Sequence, residues 1–138
     1  MSGARIVVLN GPTLGRLGTR EPEVYGRTTY AELAQLCRDA GADDVRQTDD
    51  EATMLGWLHE AADTGADVVI NPGAWSHYSY AVRDACSMVT GRLVEVHLSQ
   101  THAREAFRHH SVISAVATAT ITGLGVEGYR AALRFLRD

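Results

Sequence analysis

The sequence predicts an α/β protein in which helices cover both faces of a five-stranded parallel β-sheet. Short apolar runs alternate with segments of helical periodicity along the chain, a pattern typical of repeated β-strand, α-helix, β-strand units. The run Val68-Val69-Ile70 is continuously β-branched, as expected for a strand buried on both faces. With 138 residues, of which 45% are hydrophobic, the chain is long enough to bury a core, and we expect residues 1–138 to form one domain.

The first predicted strand, at residues 6–9, leads into a long segment that ends at Gly26. No helical pattern is expected before about Thr28, and loops of more than about 12 residues in a compact domain usually cover or bind a ligand. Glycines provide hinges, and between them lie Arg20 and Tyr25. We therefore expect a catalytic lid that carries a guanidinium close to a phenol; the alternative is a solvated loop whose tyrosine only packs.

The remaining elements follow in alternation. Thr29 and Glu32 match a capping box, so the first helix is expected to begin there and to end near residue 40. A polar edge strand is expected at residues 44–48, and a second helix, whose apolar residues recur every three or four positions, ends at Gly65. Later come a helix at about 79–89, a strand at 93–97, a short basic helix or turn at 103–109, a strand at 117–122 and a last amphipathic helix through Leu136.

Polar side chains stand at the carboxyl ends of three of these strands. Asn10 and Asn71 each follow an apolar strand and precede a turn that contains proline and glycine. His97 and Ser99 follow a third apolar strand. Because ligands bind at the carboxyl ends of the strands in parallel sheets, we expect these side chains to meet in one site.

Composition excludes several classes of function. All 13 basic residues are arginine, so neither a lysine Schiff base nor a phosphate-loop lysine is possible. A net charge of −4 argues against a nucleic-acid partner. No apolar run approaches the ~20 residues of a membrane span and the N-terminus lacks a signal peptide, so we expect a cytoplasmic protein without a membrane partner. Cys37 and Cys86 fall on predicted helices and are expected to be buried thiols.

Several kinds of chemistry were weighed for the polar cluster. The histidines lack an HExxH spacing and a cysteine pair, so we expect no metal, with His59 on a helix surface and either His109 or His110 in solvent. Ser99 and His97 would face the same way on a strand, but no G-x-S-x-G turn presents the serine as a nucleophile. A receiver domain would need an acidic pocket and a lysine, and the chain contains no lysine.

Acid–base catalysis with a phenol is the remaining arrangement. A guanidinium within a few ångströms of a phenol favours the phenolate, so Arg20 beside Tyr25 would make the tyrosine a base. His97 would be the matching acid. Such a pair suits the removal of a proton next to a carbonyl and the expulsion of a hydroxyl, which together are a dehydration.

A set of ordered motifs carries a resemblance to a known family. They are Leu-Asn-Gly-Pro-x-Leu-x-x-Leu-Gly-x-Arg-Glu-Pro-x-x-Tyr-Gly at residues 9–26, Asn71-Pro-Gly-Ala-Trp-Ser-His77, Arg83-Asp84-Ala, Glu95-Val-His97-Leu-Ser99 and Ala103-Arg104-Glu105-x-Phe107-Arg108-x-His110-Ser111. The chain closely resembles type II 3-dehydroquinate dehydratases over nearly its whole length. The resemblance implies a flavodoxin-like three-layer sandwich, in agreement with the predicted sheet.

The resemblance also implies roles for individual residues. Tyr25 would take the C2 proton of the substrate with help from Arg20, and His97 would protonate the departing C1 hydroxyl of an enolate intermediate. Leu98 and Ser99 would hold the substrate carboxylate. The ring hydroxyls would be bound by Asn71, His77 and Arg108, Asp84 would reach a neighbouring subunit's site, and Asn10, Thr13, Glu95 and Arg104 would support the site.

The family uses no cofactor or metal and assembles as trimers that group into dodecamers, so a homo-oligomer is implied. Trp75, Tyr78 and Tyr80 are expected to be exposed aromatic residues at a subunit contact. Thr13 is a departure, because the family has there a second asparagine that helps to hold the water stabilising the enolate. The segment from Cys37 to Val45 is also shorter than is usual in the family.

These departures leave two alternatives open. One is a paralogue that carries out a related elimination on a different ring in secondary metabolism, on a retained fold. The other is a catalytically silent relative kept for binding or assembly, against which the intact Tyr25, Arg20 and His97 argue.

Overall fold

A computed structural model, which describes residues 3–138, contains one parallel sheet of five strands in the order β2-β1-β3-β4-β5. The strands are β1 (Ile6–Asn10), β2 (Asp44–Gln47), β3 (Asp67–Asn71), β4 (Leu93–His97) and β5 (Ala119–Thr122). The chain runs outward from β1 to β2 and then continues on the other side of β1 with β3, so the strand order reverses between β1 and β3. Sheets of this order bind ligands outside the carboxyl ends of the strands at that point. The predicted α/β fold and the edge position of β2 are confirmed.

Within the described part of the chain, five α-helices accompany the sheet: α1 (Pro22–Tyr25), α2 (Tyr30–Asp39), α3 (Glu51–Thr64), α4 (Tyr80–Met88) and α5 (Glu127–Arg137). The predicted capping box is present, since the side chain of Thr29 and that of Glu32 each bond to the other's backbone nitrogen. Helix α3 ends at Gly65, which adopts a φ of 72° that favours glycine.

The expectation of no helix before about Thr28 is wrong. Residues Pro22–Tyr25 form a helix of four residues, entered through Glu21 and left through Gly26. The proline supplies the backbone angle of a first helical turn and has no N–H that would need a partner there. A single turn is too short to show a hydrophobic period, which is why the pattern of apolar residues did not predict it.

The two faces of the sheet bury separate cores. Val8 of β1 packs on one face with side chains of α2 and α5, and Val7 packs on the other face with side chains of α3 and α4. Cys37 and Cys86 are buried, one in each core, as predicted, and burial raises the pKa of both thiols to about 12.

One further expectation needs correction. Trp75 is 5% exposed and belongs to the core beneath α3 and α4, because residues Gly73–His77 form a 3-10 turn that folds back after β3. Tyr78 and Tyr80, in contrast, are 61% and 69% exposed, as expected. The short basic helix or turn expected at 103–109 corresponds to the 3-10 turn Ala106–His109, which follows another 3-10 turn at Thr101–Ala103.

The surface histidines follow the prediction in part. His59 lies exposed on α3 as expected, whereas His109 and His110 are both exposed and only one of them was expected in solvent.

Between residues 3 and 138, no helix is both long and apolar enough to cross a membrane.

Candidate active site

A cavity of about 210 Å³ lies at the carboxyl ends of β1, β3 and β4, where the polar strand ends were expected to meet. This volume is below the range of about 300–1,000 Å³ typical of sites for drug-sized ligands, so it suits a small metabolite. The predicted site residues that line it are Thr13, Arg20, Tyr25, Asn71, His77, His97, Leu98, Ser99, Arg104 and Arg108. Asn10, Asp84 and Glu95, also predicted, do not line it.

Tyr25 is the last residue of α1, and its side chain lines the cavity with two guanidiniums close to its ring. Arg20 lies 4.0 Å from the ring centroid and Arg104 lies 5.0 Å from it. Arg104 Nη1 also donates a hydrogen bond of 2.6 Å to the phenol oxygen and one of 3.3 Å to Ser99 Oγ. The expected closeness of Arg20 to Tyr25 is therefore present at the ring, whereas the hydrogen-bond partner of the phenol oxygen is Arg104.

Arg104 was predicted only as a supporting residue. It lies 79 residues from Tyr25 in sequence, and nothing in the local spacing connects the two. The fold brings them together because the turn after β4 and the short helix α1 pack over the same cavity.

Thr13 joins the lid to the turn that follows β1. Its hydroxyl accepts a hydrogen bond of 2.5 Å from Arg20 and donates one of 2.6 Å to the carbonyl of Pro12. Its backbone N–H donates to Asp49 at 2.8 Å. Thr13 adopts a φ of 67°, which is unfavourable for a β-branched side chain.

His97 is held by the buried carboxylate of Glu95. His97 Nε2 donates a hydrogen bond of 2.5 Å to Glu95 Oε2, so His97 Nδ1 is the ring nitrogen available to a ligand. Burial alone would raise the pKa of Glu95, but the hydrogen bond and charge of His97, together with two serine donors, lower it below its usual value. The hydrogen bond to the Glu95 carboxylate thus fixes the orientation of the His97 ring and leaves Nδ1 facing the cavity side of the pair.

The two serine donors are Ser114 and Ser111, which bond to Glu95 Oε1 and Oε2 at 2.7 Å each. Sequence reasoning missed both. Neither serine follows a strand end or lies at a spacing typical of a catalytic motif, although Ser111 is the final residue of the last family motif.

Asn10 and Asn71 end neighbouring strands at the same level and are joined by a third residue. Tyr129 of α5 donates a hydrogen bond of 2.7 Å to Asn10 Oδ1 and accepts one of 2.9 Å from Asn71 Nδ2. All three are buried, and Tyr129 connects Asn10 to Asn71, which lines the cavity. Sequence reasoning missed Tyr129; the available signal was a tyrosine on the apolar face of a helix, whose hydroxyl needs a partner when buried.

His77 and Arg108 complete the wall of the cavity. His77 Nδ1 donates to the carbonyl of His110 at 2.9 Å, which leaves Nε2 as an acceptor. Burial lowers the pKa of His77, so the ring is neutral near pH 7. Arg108 Nε donates a hydrogen bond to Glu105 Oε1 at 3.0 Å.

Asp84 stands apart from this group. It lies on α4 outside the cavity, its side chain is 74% exposed, and it pairs with Arg83 at 3.0 Å.

Within residues 3–138 there is no group of three or more histidine, cysteine, aspartate or glutamate side chains placed to hold a metal ion. The cavity thus presents a phenol between two guanidiniums and an imidazole backed by a carboxylate, a set suited to proton transfer.

Comparisons with known proteins agree with this chemistry. The family model described as dehydroquinase class II matches residues 4–137. A 3-dehydroquinate dehydratase of Salinispora tropica is 66% identical over 137 residues, which cover 96% of each chain. The crystal structure of a type II dehydroquinase from Propionibacterium acnes is 55% identical with a TM-score of 0.93, covering 99% of this chain and 97% of that one. A type II dehydroquinase from Butyrivibrio crossotus is 38% identical with a TM-score of 0.92, covering 98% of both chains.

Proposed function

The chain belongs to the class II dehydroquinase family, and we propose that it converts 3-dehydroquinate to 3-dehydroshikimate and water with Tyr25 as the base and His97 as the acid. The observation that carries this assignment is the placement of a phenol held by Arg104 and an imidazole held by Glu95 in one small cavity. Because this activity fits a step of the shikimate pathway, we also infer that the protein acts in that pathway.

Proton abstraction is assigned to Tyr25. The negative charge that its oxygen carries as a base would be stabilised by the hydrogen bond from Arg104 and by Arg20 at the ring. The oxygen would remove the proton from C2 of the substrate. The electron pair of that C–H bond would move toward the neighbouring carbonyl, which becomes an enolate.

Loss of water is assigned to His97. As the enolate re-forms the carbonyl, the bond from C1 to its hydroxyl breaks, and the hydroxyl leaves as water with a proton from His97 Nδ1. Glu95 would stabilise the imidazolium before the transfer and fix the ring so that Nδ1 faces the substrate.

The remaining wall of the cavity would bind the substrate. Ser99 Oγ accepts from Arg104, so its own hydroxyl proton is available to the substrate carboxylate, together with the backbone of Leu98. His77 Nε2 would accept a hydrogen bond from a ring hydroxyl, and Arg108 and Asn71 would donate to others. No cofactor or metal is needed for any of these steps.

We also propose that residues 1–138 act as one domain in a cytoplasmic homo-oligomer of trimers that group into a dodecamer. The support is the exposure of three aromatic side chains, Tyr78, Tyr80 and Phe107, of which Phe107 packs edge-on against His77 beside the cavity. Asp84, exposed on the same helix as Tyr80, would complete a neighbour's site.

The proposed activity is tested by adding 3-dehydroquinate and following the ultraviolet absorbance of the conjugated enone product. A steady rise that scales with enzyme concentration is expected. A well-folded protein that produces no signal at high enzyme concentration would contradict the assignment and would favour the paralogue with a different ring substrate.

A further inference from the structure

The Glu95 carboxylate accepts more hydrogen bonds than it would need if its role were only to orient the His97 ring. Its side chain is fully buried, and between residues 3 and 138 its hydrogen bonds come from His97, Ser111 and Ser114. Ser111 Oγ and Ser114 Oγ each donate at 2.7 Å, one to each carboxylate oxygen. Ser111 follows the 3-10 turn Ala106–His109, and Ser114 begins a further 3-10 turn, Ser114–Val116, which precedes β5.

We propose that Ser111 and Ser114 are positioning residues for the acid step, which hold the Glu95 carboxylate ionised against His97 and so keep the transferable proton on the imidazole. The proposal rests on the proposed function, in which His97 is the acid. It assigns to the segment at residues 111–114 a part in the reaction, although neither serine lines the cavity.

The directions of the hydrogen bonds lead to this role. A hydroxyl that donates to a carboxylate stabilises its ionised form and does not favour a protonated oxygen at the same place. With Oε1 bonded to Ser114 and Oε2 bonded to Ser111, the proton shared with His97 remains on Nε2. A second proton on Nδ1 then makes the imidazolium, whereas a neutral ring is a much weaker acid.

The other hydrogen bonds of the two serines show which of them can be replaced with less effect on the local backbone. Ser111 Oγ also accepts from the backbone nitrogens of Ile113 and Ser114 at 3.1 and 3.2 Å, so its loss would loosen the turn itself. Among the described residues, 3–138, Ser114 Oγ donates to Glu95 and accepts only a side-chain bond of 3.2 Å from Thr120. Ser114 is therefore the better position for a test.

Other titratable and charged groups surround Glu95 without replacing these donors. On α4, burial first and the charge of Glu95 second raise the pKa of the Cys86 thiol to about 12, so it stays neutral. On the turn after β3, burial lowers the pKa of His77. A second cavity lies beside Glu95, and the remaining such groups that line it are Arg108, His102, His109 and His110.

The test compares Ser114→Ala with Ser114→Thr, which keeps a hydroxyl, and with Thr64→Ala, which removes a hydroxyl bonded to Glu60 and Ala61 carbonyls on α3. The pH profile of kcat is measured for each. Because a hydrogen bond to a charged group changes an equilibrium by about tenfold or more, we expect the alkaline limb of Ser114→Ala to move to lower pH by about one unit. Ser114→Thr and Thr64→Ala should keep the wild-type limb.

A second readout does not need activity. Nitrogen-15 spectra of the histidines are recorded across pH, with the signals of His97 identified by their loss in His97→Gln. In the wild type, Nε2 of His97 should keep its proton throughout the titration. In Ser114→Ala, a share of that proton should pass to Glu95, and the imidazolium should form at lower pH.

The two readouts separate the proposal from the function on which it rests. If the wild type does not act on 3-dehydroquinate but the spectra change as expected, the dehydratase assignment fails and the role of the serines in proton placement stands. If the wild type is active while Ser114→Ala leaves both the alkaline limb and the His97 spectra unchanged, or moves the limb upward, the role of the serines is overturned. Ser111→Ala, checked for folding by circular dichroism, should shift both readouts in the same direction as Ser114→Ala.

Discussion

The guanidinium of Arg20 donates a hydrogen bond of 2.5 Å to the hydroxyl of Thr13 while it lies 4.0 Å from the centroid of the Tyr25 ring. Thr13 is thus a direct link between the turn after β1 and the lid that carries the proposed base. Its hydroxyl proton is donated to the carbonyl of Pro12, so no side-chain donor of Thr13 remains for a water in the cavity.

Replacement of Thr13 by asparagine is expected to raise turnover of 3-dehydroquinate with little effect on KM. An amide can accept from Arg20 and still donate to a water at the enolate, and one such donor is typically worth ~10²–10³ in turnover. Asparagine also adopts positive φ more readily than threonine, so the melting temperature should rise. Steady-state kinetics and thermal unfolding check both effects.

Thr13→Ser is the control for this substitution, because it keeps the hydroxyl without adding an amide. It should leave turnover near the wild-type value. A Thr13→Asn variant with an unchanged or lower rate would show that Thr13 is not simply a lost donor and would favour adaptation to another substrate.

Tyr129→Phe is expected to lower the free energy of unfolding by about 1–3 kcal/mol, since it leaves Asn10 Oδ1 and Asn71 Nδ2 buried without their shared partner. Urea unfolding measures the effect. Tyr80→Phe, which removes a hydroxyl from a side chain that is 69% exposed, is the matched control and should change the free energy little. Equal stability of the two variants would argue against the network.

That network shows which part of the site could be predicted from the sequence. Asn10 and Asn71 were expected to meet because each ends an apolar strand, and the register indeed places them side by side. Tyr129, which joins them, lies 119 residues from Asn10. No local pattern in the sequence shows that this position of α5 faces the two asparagines.

Contacts between residues far apart in sequence, and short turns, also explain the other differences between the prediction and the structure. Arg104 and Tyr25 meet across the cavity through tertiary packing alone, so their bond could not be read from spacing. Trp75 was expected to be an exposed aromatic residue at a subunit contact, whereas a 3-10 turn places its ring in the core. Regular strands and helices were predictable because their apolar periods repeat, and short turns do not provide a period.

Asp84 should serve the site of a neighbouring subunit. Light scattering is expected to give a mass well above 14.9 kDa, and Asp84→Asn should lose activity while it keeps that mass. Co-expression of Asp84→Asn with Tyr25→Phe should restore activity, since about a quarter of the shared sites in randomly mixed oligomers would be intact. A monomer with full activity would contradict the shared site.

The two thiols are expected to be inert in the folded protein. Burial raises the pKa of Cys37 and Cys86 to about 12, and the reactive thiolate is scarce at pH 8. A thiol reagent should therefore leave the native protein unlabelled and label both cysteines in denaturant. Rapid labelling of the native protein would show that at least one core opens readily.

The most direct test of the account is the turnover of 3-dehydroquinate by Tyr25→Phe. The variant should fold normally, as circular dichroism would show, because the phenol oxygen bonds to Arg104 at the cavity and not within a core. We expect turnover to fall by ~10²–10⁴, the contribution typical of a general acid–base group. If the variant kept more than about a tenth of the wild-type turnover against this expected loss, Tyr25 would not be the base and the proposed mechanism would be wrong.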